Sequence, residues 1–120
     1  SLIKIRRQNV KTYLENLNLK NVFVPKETTN EFNTYHTFVV QVNKRDRLKK
    51  YLEKNGVGSA IHYPVPIHLQ KCSHLLGYKK GSFSQTEKQS KKILSLPINQ
   101  FLQKNQIIYI SSLINKFYQI

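Results

Sequence analysis

Between Ile61 and Gln70 the chain reads IHYPVPIHLQ, and no other stretch narrows the choice of folds so far. Each proline holds its own φ near roughly −65°, has no N–H to donate, and pushes the residue before it toward extended backbone. A strand that reaches Ile61 must therefore stop there. Beyond it runs a stiff arm with His62 and Tyr63 at one end and His68 at the other. Rigidly held polar groups suit a binding site, and a tight strand-to-helix connection has the same composition.

The segments around this arm set the fold class. At the start, Val10, Tyr13, Leu14 and Leu17 recur at the spacing of one helix face, which predicts a helix over residues 1–18. NVFVPKETTNEFN reads as a loop with a short strand at Val22 to Val24. TYHTFVVQV is rich in β-branched and aromatic residues and predicts a strand from Thr34 to Val42, covered on both faces at Phe38, Val39 and Val40. The next element is a helix capped by Asn43 and stopped before Gly56, with Leu48, Tyr51 and Leu52 inward. Val57 to Tyr63 predicts a second strand, and Leu69 to Leu76 a short helix ending at Gly77. Ser84 and Glu87 have capping-box spacing, so another helix starts there. SLPIN is either a third strand or a buried turn. The last helix spans Lys104 to Tyr118, with Ile107, Ile110, Ile114 and Phe117 on one face, Leu102 stapled against Ile107, and Gln103 a poor cap. The class is α+β: a small sheet of two to four strands with helices packed on it, one domain over 1–120 with its α+β core at 34–118.

Composition narrows the functions. Twenty Lys and Arg stand against six Asp and Glu, a net charge of +14, which favours phosphate-bearing partners. The lysines come in scattered pairs and no nucleic-acid reading motif accompanies them, so a basic nucleic-acid-binding module is the alternative reading. No apolar run reaches the roughly 18 residues that cross a bilayer, so no membrane role is expected. One cysteine excludes an internal disulfide and fits the cytoplasm. There is no methionine and the first helix is under way at residue 1, so a piece of a longer protein is expected.

Reactive groups are few. His62, His68, Cys72 and His74 are the one cluster with metal-ligand chemistry, but their spacing matches no zinc pattern, and no metal is expected. Cys72 reads as a small buried hydrophobe, His74 as exposed, and His36, on its strand, as buried against a backbone partner. A Cys–His nucleophile lacks a third orienting group and an oxyanion loop. No catalytic residue is assigned.

From Tyr35 to Phe117 the chain resembles the C-terminal small domain of the DegT/DnrJ/StrS family, the sugar-nucleotide aminotransferases of fold-type I. The resemblance rests on TYHTFVV, RDRLKKYLEKNGVGSA, IHYPVPIHLQ, the GY of HLLGY, GSFSQTEKQSKKILSLPINQFL and a closing amphipathic helix, in that order. IRRQNVKTYLENL is similar to the helix that leads into that domain. HYPVPIHLQ and LSLP at this separation are its specific parts.

The resemblance implies a parent that uses pyridoxal phosphate to pass an amino group from a donor such as glutamate to a nucleotide-linked keto sugar. The products are amino sugars for polysaccharides or antibiotics. It implies a homodimer in the parent, with the cofactor and its lysine on a large domain, so that this piece alone binds no cofactor and is inactive. His62 and Tyr63 are implied to contact the sugar or its phosphates. His68 is either a further contact or a loop-stabilising group. Severed from a large domain, the piece is expected to expose apolar surface and self-associate.

Overall fold

The computed structural model describes residues 1–119; Ile120, the last residue of the expected domain, lies outside the described residues. The chain opens on α1 (Leu2–Asn16), whose Val10 and Tyr13 are buried, followed by a buried Leu17 in extended backbone. Leu14, at the edge of the same stripe, is left partly exposed. β1 (Val22–Phe23) pairs antiparallel with β2 (Phe38–Val42), which pairs antiparallel on its other side with β3 (Ile93–Leu96). Three further helices, α2 (Arg45–Lys54), α3 (Ser84–Ser90) and α4 (Lys104–Tyr118), complete the α+β architecture.

Alternation along β2 aims Phe38, Val40 and Val42 at the core, while Val39 and Gln41 are half-covered. Leu48 and Leu52 of α2, Leu94 and Leu96 of β3, and Ile107, Ile110, Leu113 and Ile114 of α4 close over them with Tyr13 of α1. Full burial of one such aliphatic side chain contributes roughly 1.5–3 kcal/mol, so this cluster dominates the stability of the domain.

Several local expectations are corrected. The strand expected from Thr34 begins at Phe38, because Asn33 Oδ1 accepts the Tyr35 N–H at 2.8 Å and Tyr35 turns left-handed at φ 50°. The second strand, Val57 to Tyr63, shrinks to one antiparallel bridge between Ala60 and Ser95, with N···O distances of 3.1 and 2.7 Å. The helix of residues 69–76 is instead two 3₁₀ turns, Ile67–Leu69 and Lys71–Leu76, which do end at a left-handed Gly77. Asn43 does not cap α2: the N-cap is Lys44, at φ 54°, and the Asn43 carbonyl accepts from the Tyr118 hydroxyl. Ser84 is the first residue of α3 rather than its cap, and Glu87 reaches back past the start of the helix to the Gly81 N–H and to His68. Gln103, expected to be weak, forms a reciprocal capping box with Gln106.

Three arginines add polar fastenings to the apolar core, two of them on irregular segments. The Arg6 guanidinium donates to the Tyr35 and His36 carbonyls, each at 3.1 Å. Arg7 grips Glu27 through both nitrogens at 2.8 and 2.9 Å, donates to the Asn33 carbonyl, and lies 4.4 Å over the Phe32 ring. Buried Arg45 donates to the Ser90 and Ile93 carbonyls, tying α2 to the start of β3.

Candidate functional site

Ser95 sits in the middle of β3 and exchanges both backbone hydrogen bonds with Ala60, so it fixes the point at which the proline arm leaves the sheet. Its side chain does the same for the arm's first histidine: Ser95 Oγ lies 2.8 Å from His62 Nδ1. When this hydroxyl donates to Nδ1, the ring proton resides on Nε2, which is then a free donor. Tyr63 comes next through a cis peptide bond, its ring edge-on to His62, and is 72% exposed. The two residues form a finger that stands open to solvent.

The other end of the arm is anchored differently. His68 is only 6% exposed, and its Nε2 lies 2.9 Å from Glu87 Oε1 in α3. The same carboxylate oxygen accepts the Gly81 N–H at 2.7 Å. The hydrogen bond from His68, then that from Gly81, holds the Glu87 carboxyl below the usual carboxylate range. Of the two roles open to His68, this is the geometry of loop stabilisation.

Beside the finger lies a groove of about 370 Å³, lined by His36, Thr37, Ser59, His62, Ser95 and Pro97 among others. The expectation of a buried His36 is overturned: it is exposed, because the shortened β2 leaves it in the turn ahead of the strand. Ser59 Oγ, at the wall of this groove, is shielded from solvent and has no hydrogen-bond partner among the described residues. The structure thus joins His62 to His36, Ser59 and Ser95, none of which the sequence singled out as a ligand contact. A lone serine within the apolar run ILSLP was the available signal for Ser95, since a polar residue inside a buried strand needs a partner. A larger hollow of about 730 Å³ is mostly apolar, lined by Leu14, Leu19, Phe23 and Pro25 with Lys26, Glu27 and Tyr35. Its one carboxylate, Glu27, is already engaged by Arg7, so the smaller groove with its uncommitted histidine edges is the better candidate on chemical grounds.

The other reactive side chains do not assemble. Cys72 is exposed instead of packed as a small hydrophobe, and His74 is exposed as expected. Among the described residues, no three His, Cys, Asp or Glu side chains gather where a metal ion would sit. No described helix is long and apolar enough to cross a membrane.

Solved structures carry this fold as part of longer chains. S. venezuelae DesV, solved in complex with a ketimine intermediate, superposes with a TM-score of 0.93 at 26% identity, covering 100% of this chain and 33% of that one. A DegT DnrJ EryC1 StrS aminotransferase from Brucella abortus gives 0.87 at 27% identity, covering 99% and 32%. These likenesses define the class as an α+β segment of the kind that forms about a third of a DegT DnrJ EryC1 StrS aminotransferase. A model of the DegT/DnrJ/EryC1/StrS aminotransferase family matches residues 1–115, and the chain belongs to that family. Among curated relatives, the pleiotropic regulatory protein of Geobacillus stearothermophilus is 35% identical over 117 residues, 95% of this chain and 32% of that protein. The dTDP-3-amino-3,6-dideoxy-alpha-D-galactopyranose transaminase of Aneurinibacillus thermoaerophilus is 28% identical over 112 residues, 93% and 30%. The chain spans about a third of the length of these relatives.

The family implies pyridoxal phosphate, and none of the described lysines stands in a sheltered setting of the kind its covalent attachment uses. A Schiff-base lysine needs a sheltered amine whose charge is disfavoured. Here every lysine is exposed except Lys49, which is part-covered and engaged with Glu53 at 2.6 Å.

Proposed function

We propose that this chain is the sugar-gripping small domain of a pyridoxal-phosphate-dependent aminotransferase that aminates a nucleotide-linked keto sugar. The observation that carries this reading is the uncovered His62–Tyr63 finger beside a groove that also holds His36, Ser59 and Ser95. A hexose presents several hydroxyls, and fixed donors and acceptors discriminate among them because an unpaired buried polar group is costly. The substrates of relatives support the class of ligand: one is a dTDP-amino-sugar transaminase, and another, from Acidithiobacillus ferrooxidans, is a UDP-N-acetyl-3-dehydro-alpha-D-glucosamine 3-aminotransferase.

In this reading the cofactor and its lysine belong to other polypeptide, which the exposure of the lysines here supports. The 120-residue chain alone then binds no pyridoxal phosphate and transfers no amino group. A glutamate-like donor, a homodimeric parent and a cytoplasmic setting complete the proposal. His62 and Tyr63 touch the sugar or its phosphates, and His68 acts from behind as an anchor.

The test is a titration of the isotope-labelled chain with dTDP-glucose and, separately, UDP-N-acetylglucosamine, followed by NMR. Shifts confined to His62, Tyr63, Ser59 and Ser95 are expected from at least one of them. Shifts scattered over the lysines, matched by a random DNA duplex and abolished by salt, would overturn the sugar reading in favour of phosphate attraction.

A further inference from the structure

Residues 63–83 cross the surface almost without apolar support. Ile67 is 77% exposed and Leu75 97%, and Tyr63, Val65, Leu76, Tyr78 and Phe83 are exposed as well. Only two side chains in this excursion are buried, His68 and Ser73. Ser73 Oγ donates to the Ile67 carbonyl at 2.7 Å, which closes the first 3₁₀ turn onto the second. His68 meets Glu87, and the Phe83 ring stands edge-on to the imidazole with centroids 4.9 Å apart. Glu87 therefore holds the excursion at two places with one oxygen: at His68 near its start and at Gly81 near its end.

Ordering a backbone residue costs roughly 1–2 kcal/mol, and a segment without buried apolar contacts has little to offset that cost. A polar junction at both ends is what keeps such an excursion in one place. The proline arm then links the junction to the finger. Its sheet end is fixed by Ser95, through Ala60 and His62, and its far end by Glu87, through His68. Pro64 and Pro66 lie between these anchors and leave little freedom to absorb a displacement.

We propose that Glu87 is a positioning residue: acting through His68 and the Gly81 amide, it sets where the His62–Tyr63 finger stands over the groove and so how tightly a sugar is held. The proposal rests on the reading of the finger as a sugar contact. It adds to that reading a residue that touches no substrate.

The test uses the chain with Glu87→Ala and Glu87→Gln, because glutamine keeps an acceptor oxygen at the same position. Amide hydrogen exchange of Leu69, Gln70, Ser73 and Gly81 is expected to quicken at least tenfold in Glu87→Ala, with Val40 and Leu94 unchanged. Glu87→Gln is expected to recover most of that protection. The Tyr63 ring resonances should shift in Glu87→Ala without ligand, and the affinity for dTDP-glucose should fall at least fivefold. Wild-type exchange in Glu87→Ala would overturn the junction, and loosened exchange with an undiminished sugar affinity would overturn the positioning role. If exchange loosens and Tyr63 shifts while the wild-type chain binds no nucleotide sugar, the junction stands and the sugar reading of the finger fails.

Discussion

Tyr13 offers a test of how the lead-in helix is joined to the site-bearing strand. Its side chain is fully buried, the ring packs 5.1 Å from Phe38, and the hydroxyl donates to the Pro97 carbonyl at 2.9 Å, two residues beyond Ser95. Tyr13→Phe keeps the ring and removes only the oxygen, so apolar burial hardly changes. What is lost is one hydrogen bond, about 1 kcal/mol net, together with the desolvation of a carbonyl left without its donor, which brings the total to about 1–2 kcal/mol. Tyr13→Ala removes the ring as well and should cost about 3–5 kcal/mol, in line with large aromatic deletions. Urea unfolding followed by far-ultraviolet circular dichroism, with thermal melts beside it, separates the two. Tyr13→Phe should lower the melting temperature by about 4 °C per kcal/mol for a domain of this size. A Tyr13→Phe variant as stable as the wild type would show that the Pro97 carbonyl finds another partner, and the hydroxyl would then be no fastener.

Charge and exposure give three further expected outcomes. Glu27, whose carboxyl is lowered to about 2, first by the Arg7 hydrogen bond, stabilises the loop of residues 24–35 above its unfolded pKa near 4.5. That stability should be lost as pH falls from 4.5 toward 2, read as rising amide exchange at Asn33 and Tyr35; an acid-insensitive loop would refute it. Burial pushes the Tyr118 hydroxyl up to about 12 from 10.0, so its contribution is present below pH 10 and drains away between 10 and 12. Tyr118→Phe should flatten that part of the alkaline unfolding curve. Ile67, Leu75 and Phe101, each at least 77% exposed, should make the isolated chain bind hydrophobic dye and sediment with concentration-dependent association, opposed by the +14 charge; a dye-negative monomer would contradict this.

Elements built by periodic burial were legible in the sequence. Val10 with Tyr13, Leu48 with Leu52, and Ile107 with Ile110 and Ile114 repeat at helical spacing, and all are buried. The arm was legible for a different reason, since proline acts on its own neighbours whatever the tertiary context. Misreadings arose where a side chain chose a distant partner over a local one. Glu87 has the spacing of a capping box but reaches His68, nineteen residues back, whereas Asn43 lost the cap because left-handed Lys44 starts the helix one residue later. His36 was misplaced because left-handed Tyr35 delays the strand, which strand propensity does not register. Ser95 could not be tied to His62 locally, because only the antiparallel pairing of two edges brings them within 2.8 Å.

The fastening of Arg7 bears on how this chain's cationic character should be understood. Sixteen lysines and four arginines make up the twenty basic residues. Arg7 uses a planar fork to seize Glu27 while lying flat on an aromatic ring, a double task that an ammonium, being a compact point charge, does not reproduce. Arg45 likewise spends its charge inside the fold. Apart from exposed Arg47, the polyelectrolyte face that solvent and passing anions meet is thus a lysine coat, which chemical acetylation could neutralise while leaving the guanidinium rivets of Arg7 and Arg45 in place.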